Sequence, residues 1–435
     1  RLAIGPAHAR DPDKWLTPRL ATIVRRAVDA RGLPVTDDWR AGAATKMAFA
    51  PQPGSAGKAI DTLLARAAAG EPLDQREIVR LFETDGADAA RVVEAADALR
   101  REIAGDTITF VVNRNINYTN ICLYKCGFCA FSKGSTKAER GPAYRLDFDE
   151  IGRRAAEAAE RGATEVCLQG GIHPAYDGNL YLDVLRTVRK AAPGLHIHAF
   201  SPLEVSHGAT TLGLPLDVYL GALRDAGLST LPGTAAEILH DEVRALICPD
   251  KLDTGAWLDV MRNAHEVGLR STATIMFGHV DAYRHWADHL LAIRRLQEDT
   301  GGFTEFVPLP FVHMEAPIWR KGRARSGPSA REAVLMHAVA RLALHPLIPN
   351  IQASWVKLGR EGVGFALAAG ANDLGGTLMD ESITRAAGGR HGQLCDSDMM
   401  RAIAKAAGRP ARQRTTLYAP VETAPEAGRL TPACP

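Results

Sequence analysis

The chain has 435 residues, 46% of them apolar and 23% charged, with 52 basic against 50 acidic side chains and a formal net charge of +2. That balance gives no electrostatic reason to expect nucleic acid or an anionic membrane as partner; no apolar run is long enough to span a bilayer, and no signal-peptide pattern opens the sequence. Seven cysteines, an odd count, argue against a secreted disulfide framework and for the reducing cytoplasm.

Residues 1–55, with Pro6, Pro12, Pro18, Pro34, Pro51 and Pro53, read as a connector with one helical patch over 20–28. Residues 56–106 are rich in Ala, Leu and charge, and predict two or three amphipathic helices covering one end of the domain that follows. From 107 to 420, short β-rich runs alternate with helical stretches: 108–112, 165–169, 196–200, 228–231, 271–277, 304–308, 351–356 and 373–378. A typical intervening helix is 284–298, where Trp286, Leu290, Ile293 and Leu296 form an apolar stripe that Gly301-Gly302 ends. Such alternation predicts an α/β protein with a parallel sheet, here a closed (β/α)8 barrel with a helical extension at its amino end. The run 228–231 is short and ends in Pro232-Gly233; without it, a partial barrel of about six units remains. Residues 421–435 read as a tail. The chain opens with Arg1 rather than Met, which suggests processing, truncation or one part of a longer polypeptide.

Cys122, Cys126 and Cys129 form a Cys-x3-Cys-x2-Cys loop directly after the first predicted strand. Structural zinc is normally closed by four ligands, whereas three thiolates on a four-iron cubane leave one iron open for another molecule. That open iron suits reductive cleavage of S-adenosylmethionine. A zinc site completed by a distant His, or unrelated buried thiols, are the alternatives. Gly127 lets the backbone wrap closely, Phe128 can shield a metal, and Lys125 and Lys133 add positive charge that favours thiolates. Cys167, Cys248, Cys395 and Cys434 read as core or surface thiols.

Residues past the other strands should meet the cysteine loop at the barrel mouth. Gly170 and Gly171 permit close approach to a methionine moiety, or simply make a tight turn. Ser201 and Glu204 offer a hydroxyl and a carboxylate, although Glu204 also suits the first turn of a helix. Thr234 to Glu237 reads as a capping box, with a ribose contact by Glu237 as the other reading. His173 follows the glycine pair. His279 is a candidate for proton transfer, with Asp281 capping the next helix; His313 and Glu315 sit two apart in a Pro-framed loop. There is no Walker loop, dinucleotide fingerprint or His-Glu-x-x-His helix.

The run 113–134, with the stretches 169–174, 198–204, 274–279 and 307–317, resembles the tyrosine-coupling half of the FO synthase family, within the radical S-adenosylmethionine enzymes. The resemblance covers roughly residues 60–420. Menaquinone-pathway radical enzymes share the cysteine loop and the glycine pair; the loop 308–317 discriminates. The resemblance implies a 4Fe-4S cluster, for which Cys122, Cys126 and Cys129 are the ligands, and S-adenosylmethionine, for which Phe128, Gly170, Gly171, Ser201, Glu204 and Glu237 are the candidate contacts. It further implies a 5′-deoxyadenosyl radical that takes hydrogen from L-tyrosine, whose Cα–Cβ bond breaks to release 2-iminoacetate. The hydroxybenzyl group then joins C5 of 5-amino-6-(D-ribitylamino)uracil, on the way to the deazaflavin of coenzyme F-420. An electron donor and a second, ring-closing radical half, fused or separate, are the implied partners. His173, His279, His313 and Glu315 are the candidates for substrate contact or proton handling.

Overall fold

The computed structural model describes residues 4–49, 57–133 and 142–421; Pro51, Pro53, Gly134, Cys434 and nearly all of the expected tail lie outside them. The strands are β1 (Ile108–Val111), β2 (Asn113–Asn117), β3 (Glu165–Gln169), β4 (His196–Ala199), β5 (Thr230–Leu231), β6 (Arg270–Phe277), β7 (Phe303–Pro310), β8 (Asp373–Gly376) and β9 (Ala411–Gln413). β2 to β7 pair in chain order as one parallel sheet, and β1 lies parallel between β8 and β9. Bridges from Phe306 to Ile351 and from Gln352 to Asp373 join the two sheets on one side. On the other, Thr377 N–H donates to Val111 O at 3.0 Å and Asn115 N–H to Leu378 O at 2.8 Å, which closes the ring.

Each of the eight predicted runs supplies a strand or bridge here, with three adjustments. The first run, 108–112, forms β1 beside β8 and β9, and the pairing to β3 is made by its continuation β2, which was not expected as a strand. The run at 228–231 survives as the two-residue β5, paired to both neighbours. The run at 351–356 shrinks to two bridges, at Ile351 and Gln352, because a helical segment, Trp355–Leu367 with a break at Gly359, begins where the strand was expected to continue.

Alternation along the strands sets what faces the lumen. In β3, Val166 and Leu168 are fully buried toward the helices. Glu165 faces inward, where it accepts from Asn113 Nδ2 at 2.7 Å and Thr416 Oγ1 at 2.6 Å. The lumen is therefore polar. Its amino-terminal end is sealed by the segment around β9: Arg414 reaches Asp373 at 2.5 Å and Glu305 at 3.1 Å, and the Tyr418 hydroxyl donates to Glu305.

Three helices form the amino-terminal extension, Lys58–Ala68, Gln75–Glu83 and Gly86–Ala104. They pack on the outside of the barrel rather than over one end. The reason is the helix Ala330–Leu344, in which every residue except Arg331 is buried, so its outer face too is covered by a second layer. Phe82 of the extension meets Trp286 and Tyr283 of the helix Tyr283–Thr300 at ring distances of 5.1 and 5.6 Å. Removing that ring should cost about 3–5 kcal/mol. The earlier stretch, expected as a connector, lies against the barrel: Trp39 is fully buried, and Gly42 N–H donates to Lys357 O at 2.7 Å. No helix among the described residues is long and apolar enough to cross a membrane.

Candidate active site

The segments that follow the carboxyl ends of the strands converge on one cavity of about 250 Å³. Cys122, Cys126 and Cys129 all line it, and so do Phe128, Gly170, Gly171, Ser201, Glu204 and Glu237. The loop that carries the cysteines is pinned by backbone hydrogen bonds to three other segments. Leu123 N–H donates to Ile172 O at 2.8 Å, Gly127 N–H to Ile247 O at 2.7 Å, and Ile318 N–H to Gly127 O at 2.7 Å.

The sulfurs are dressed as thiolates would be. Ile172 N–H points at Cys122 Sγ and Ser132 N–H at Cys129 Sγ, each at 3.3 Å. Burial pushes the Cys126 and Cys129 thiols up, and Lys251 works against it at both. The three sulfurs do not all come within 4.8 Å of one another. Thiolates on a single tetrahedral zinc, at about 2.3 Å each, would sit roughly 3.8 Å apart. This donor set is too spread for one zinc ion and fits a larger iron–sulfur cluster.

The glycine pair is required by the loop itself. A Cβ at Gly171 would fall 2.2 Å from Ile121 O, and one at Gly170 would fall 2.5 Å from the Tyr118 ring. Bare backbone here lets the cysteine loop close over the end of β3. Glu204, almost wholly buried, fixes the same region. Its Oε1 accepts from Gly170 N–H at 3.0 Å and from the Tyr118 hydroxyl; its Oε2 accepts from Ser201 N–H at 2.7 Å and Ser201 Oγ at 2.6 Å. Ser201 and Glu204 are thus the capping box of the helix Pro202–Leu212 as well as part of the cavity wall.

Thr234 and Glu237 do not cap a helix; the next one starts only at Asp241, after His240. Instead Ala235 and Glu237 take positive φ of 65° and 48°, and Glu237 turns back to pair with Lys251 at 2.6 Å. Phe200, Leu378 and Met379 also have positive φ. Strained non-glycine residues therefore gather at the strand ends around the mouth, as they do at functional sites. Thr234 Oγ1, in the cavity wall, is buried without a hydrogen-bond partner among the described residues.

His173, His279, His313 and Glu315 do not line the cavity. The His173 ring stacks on Tyr176 at 4.6 Å, and its Nδ1 accepts from Ala175 N–H. His279 is fully buried, with Nε2–H donating to Met276 O at 3.0 Å and Nδ1 accepting from Val280 N–H at 2.8 Å. Asp281 packs beside it and takes the Trp286 indole N–H at 2.5 Å. His313 packs against Trp319 at 4.7 Å, and burial holds it neutral with a pKa down at about 4. Glu315 pairs with exposed Arg320.

Lys251 and Lys357 reach the cavity without having been singled out in the sequence, and so do Asn117 and Gln169. The alternation Asn113, Asn115, Asn117 along β2 marked one face for polar work, and Lys357 directly follows the predicted run 351–356; nothing local marked Lys251. The positive charge expected from Lys125 comes from Lys251, since Lys125 is exposed. A separate group, His240, Glu242 and His285, has ligand-type atoms within 4.8 Å of one another. His285 Nδ1, however, accepts from Ala282 N–H at 3.0 Å, which puts the ring proton on Nε2, the atom that faces Glu242. Nε2 lies 3.8 Å from that carboxylate, beyond hydrogen-bond range, and has no hydrogen-bond partner among the described residues.

Residues 116–293 match the Radical SAM superfamily and residues 300–427 the CofH/MqnC C-terminal region. The 5-amino-6-(D-ribitylamino)uracil–L-tyrosine 4-hydroxyphenyl transferase of Methanopyrus kandleri is 51% identical over 335 residues, 77% of this chain and 90% of its own length. The FO synthase of Streptomyces coelicolor is 46% identical over 434 residues, 96% of this chain and 49% of its own length. That of Mycobacterium tuberculosis is 52% identical over 343 residues, 79% and 40% of the two chains. The chain thus spans about half the length, or less, of the FO synthases it matches. Among solved structures, methylornithine synthase shares the fold at a TM-score of 0.63 and 20% identity, over 80% of this chain and 97% of its own. The FeFe-hydrogenase maturase HydG from Carboxydothermus hydrogenoformans does so at 0.61 and 16%, over 83% and 81%.

Proposed function

The chain belongs to the radical S-adenosylmethionine family of 5-amino-6-(D-ribitylamino)uracil–L-tyrosine 4-hydroxyphenyl transferases, and we propose that it carries out the reaction its relative's name describes. In this reading L-tyrosine is cleaved between Cα and Cβ, 2-iminoacetate leaves, and the 4-hydroxybenzyl group is joined to C5 of the diaminouracil. A ring-closing radical enzyme, on the same or another polypeptide, consumes the adduct, and a separate electron donor supplies the reductant. The observation that carries the reading is the convergence of three cysteines, too spread for one zinc, on a single cavity at the carboxyl ends of the strands.

Cys122, Cys126 and Cys129 would hold a 4Fe-4S cluster, which when bound supplies the electron that splits S-adenosylmethionine into methionine and a hydrogen-abstracting deoxyadenosyl group. The protein's own residues do the rest. Glu204 and Ser201 hold the Gly170 peptide in position, so that the polar edge of β3 can take the methionine end of S-adenosylmethionine. Thr234 and Glu237 stand further round the same wall, where the ribose would lie. Leu309, Pro310, Phe311 and Val312 form an apolar wall that suits an aromatic substrate and excludes water from the reacting centre.

The test is anaerobic reconstitution with iron and sulfide, then incubation with reductant, S-adenosylmethionine, L-tyrosine and the diaminouracil, read by mass spectrometry. Deoxyadenosine and the tyrosine–uracil adduct should both form, and both should vanish in Cys126→Ala. Deoxyadenosine without adduct would remove the substrate assignment; the absence of iron and of both products would remove the whole reading.

A further inference from the structure

Lys357 is a lysine in the wrong place for stability. It sits in a short helical turn, 355–358, which Gly359, at φ 75° and ψ 166°, separates from the helical stretch that runs on to Leu367. Its side chain lines the cavity. Among the described residues no carboxylate lies within 4.0 Å of it, and no hydrogen-bond acceptor is bound to its amine; the carboxylates that influence it, Glu381 and Glu237, act from beyond contact range. Lys251, the other cavity lysine, has its partner at 2.6 Å. An ammonium in a cavity wall without a counter-charge in contact costs stability, and such local conflicts mark functional positions.

The position of Lys357 in the barrel says what it faces. It follows the seventh parallel segment, 351–352, between β7 and β8. The residues assigned to S-adenosylmethionine follow β3, β4 and β5, across the mouth. Beside Lys357 stand the apolar wall after β7 and, after β8, Ile383 and Ala387, a surface suited to an aromatic ring.

We propose that Lys357 is the anchor for a carboxylate in this cavity, and that the carboxylate is the α-carboxylate of L-tyrosine. The proposal rests on the tyrosine reading of the site. With the carboxylate tethered on this wall, the amino acid's backbone is fixed while its phenol ring lies along the apolar strip. Lys357 is then a positioning residue that sets substrate choice. The competing source is the methionine carboxylate of S-adenosylmethionine, and binding measurements separate the two.

The experiment is anaerobic calorimetry on the reconstituted protein with S-adenosylmethionine present, titrating L-tyrosine, tyramine, which lacks the carboxylate, and 3-(4-hydroxyphenyl)propionate, which lacks the amine. Lys357→Met should weaken L-tyrosine and the propionate by roughly ten- to a hundredfold, the loss of a charge-assisted hydrogen bond, and leave tyramine within about threefold. Lys357→Arg should restore the preference for the two acids. Equal weakening of all three ligands would make Lys357 merely structural and overturn the proposal. So would unchanged binding of L-tyrosine, or a rise confined to the Kd of S-adenosylmethionine. If Lys357→Met does not fold, Lys357→Arg and Lys357→Gln supply the same comparison. Binding is read without turnover, so wild-type protein that binds L-tyrosine through Lys357 yet forms no adduct would overturn the proposed reaction and leave the anchor standing.

Discussion

Lys251 Nζ lies 2.6 Å from Glu237 Oε1 and 5.5 Å above the centre of the Phe128 ring, in the wall that carries the cysteine loop. Both charged side chains are largely buried. The pair therefore delivers a fixed positive charge beside Cys126 while Glu237 keeps that charge from being isolated.

Breaking the pair from one side should be costly. Lys251→Met leaves Glu237 buried without its partner, and should destabilise the cluster-free protein by about 3–5 kcal/mol in urea unfolding. It should also lower iron content after reconstitution. The double variant Lys251→Met with Glu237→Gln should recover a large part of the stability and little of the iron. Full recovery of iron would show that the charge does not serve the thiolates.

Gly171→Ala tests how the cysteine loop is seated. The added methyl would fall 2.2 Å from Ile121 O and 2.9 Å from Cys122 Cβ, both on the loop. The barrel can keep its helices and strands while the loop is forced away, so circular dichroism should stay native as iron per chain falls severalfold. Normal iron loading would mean that the loop can shift without losing the cluster geometry.

His279→Gln separates packing from chemistry. The ring is fully buried and both nitrogens are engaged by backbone, away from the cavity. The substitution should cost about 1–3 kcal/mol of stability through unpaired backbone groups, with the KM for L-tyrosine moved less than twofold. A large rise in that KM would return His279 to the substrate.

Asp281 gives the protein an acid limit of its own. Burial alone would raise its carboxyl, but the Arg325 charge and hydrogen bonds from the Trp286 indole and Gly278 N–H hold it down from the usual 3.8 to about 2. A depressed carboxyl stabilises the folded state fully above its unfolded value, and that stabilisation disappears as the pH falls through the folded one. The difference amounts to about 2 kcal/mol. Asp281→Asn should therefore be least stable relative to wild type near neutrality, and the gap should narrow on acidification from pH 4 to pH 2. A gap that does not change with pH would assign the loss to packing.

Most strand positions were legible because each run carries branched or aromatic residues between turn signals, and the short 228–231 run held in part as β5; β2, Asn-Arg-Asn-Ile-Asn, and β9, Ala-Arg-Gln, lack that signature and were missed. The cysteine loop was legible because cluster ligation imposes a local spacing. What escaped is set by distance along the chain. Lys251 and Lys357 reach the cavity from helices and loops that the sequence presents as ordinary surface, and only closure of the barrel turns them inward. His279 misled for the opposite reason. It follows a strand at the right end, yet the turn at Gly278 and the Asp281 carboxylate draw the ring under the loop, since Asp281 accepts from both Gly278 N–H and His279 N–H. Helix order along 56–106 was readable, but not the surface those helices cover, which belongs to a helix more than two hundred residues later.

Arg414 supplies the positive charge that meets Glu305 and Asp373 at the closed end of the lumen, and Tyr418 a hydrogen bond to Glu305. During synthesis, those acids emerge long before their partners. Until residue 418 is free of the ribosome, the barrel holds carboxylates at its base with no cation to meet them. Completion of this fold therefore waits for the last stretch of the region to be translated, and a nascent chain halted near residue 400 should remain open to proteases and chaperones at a stage when almost all of its strands already exist.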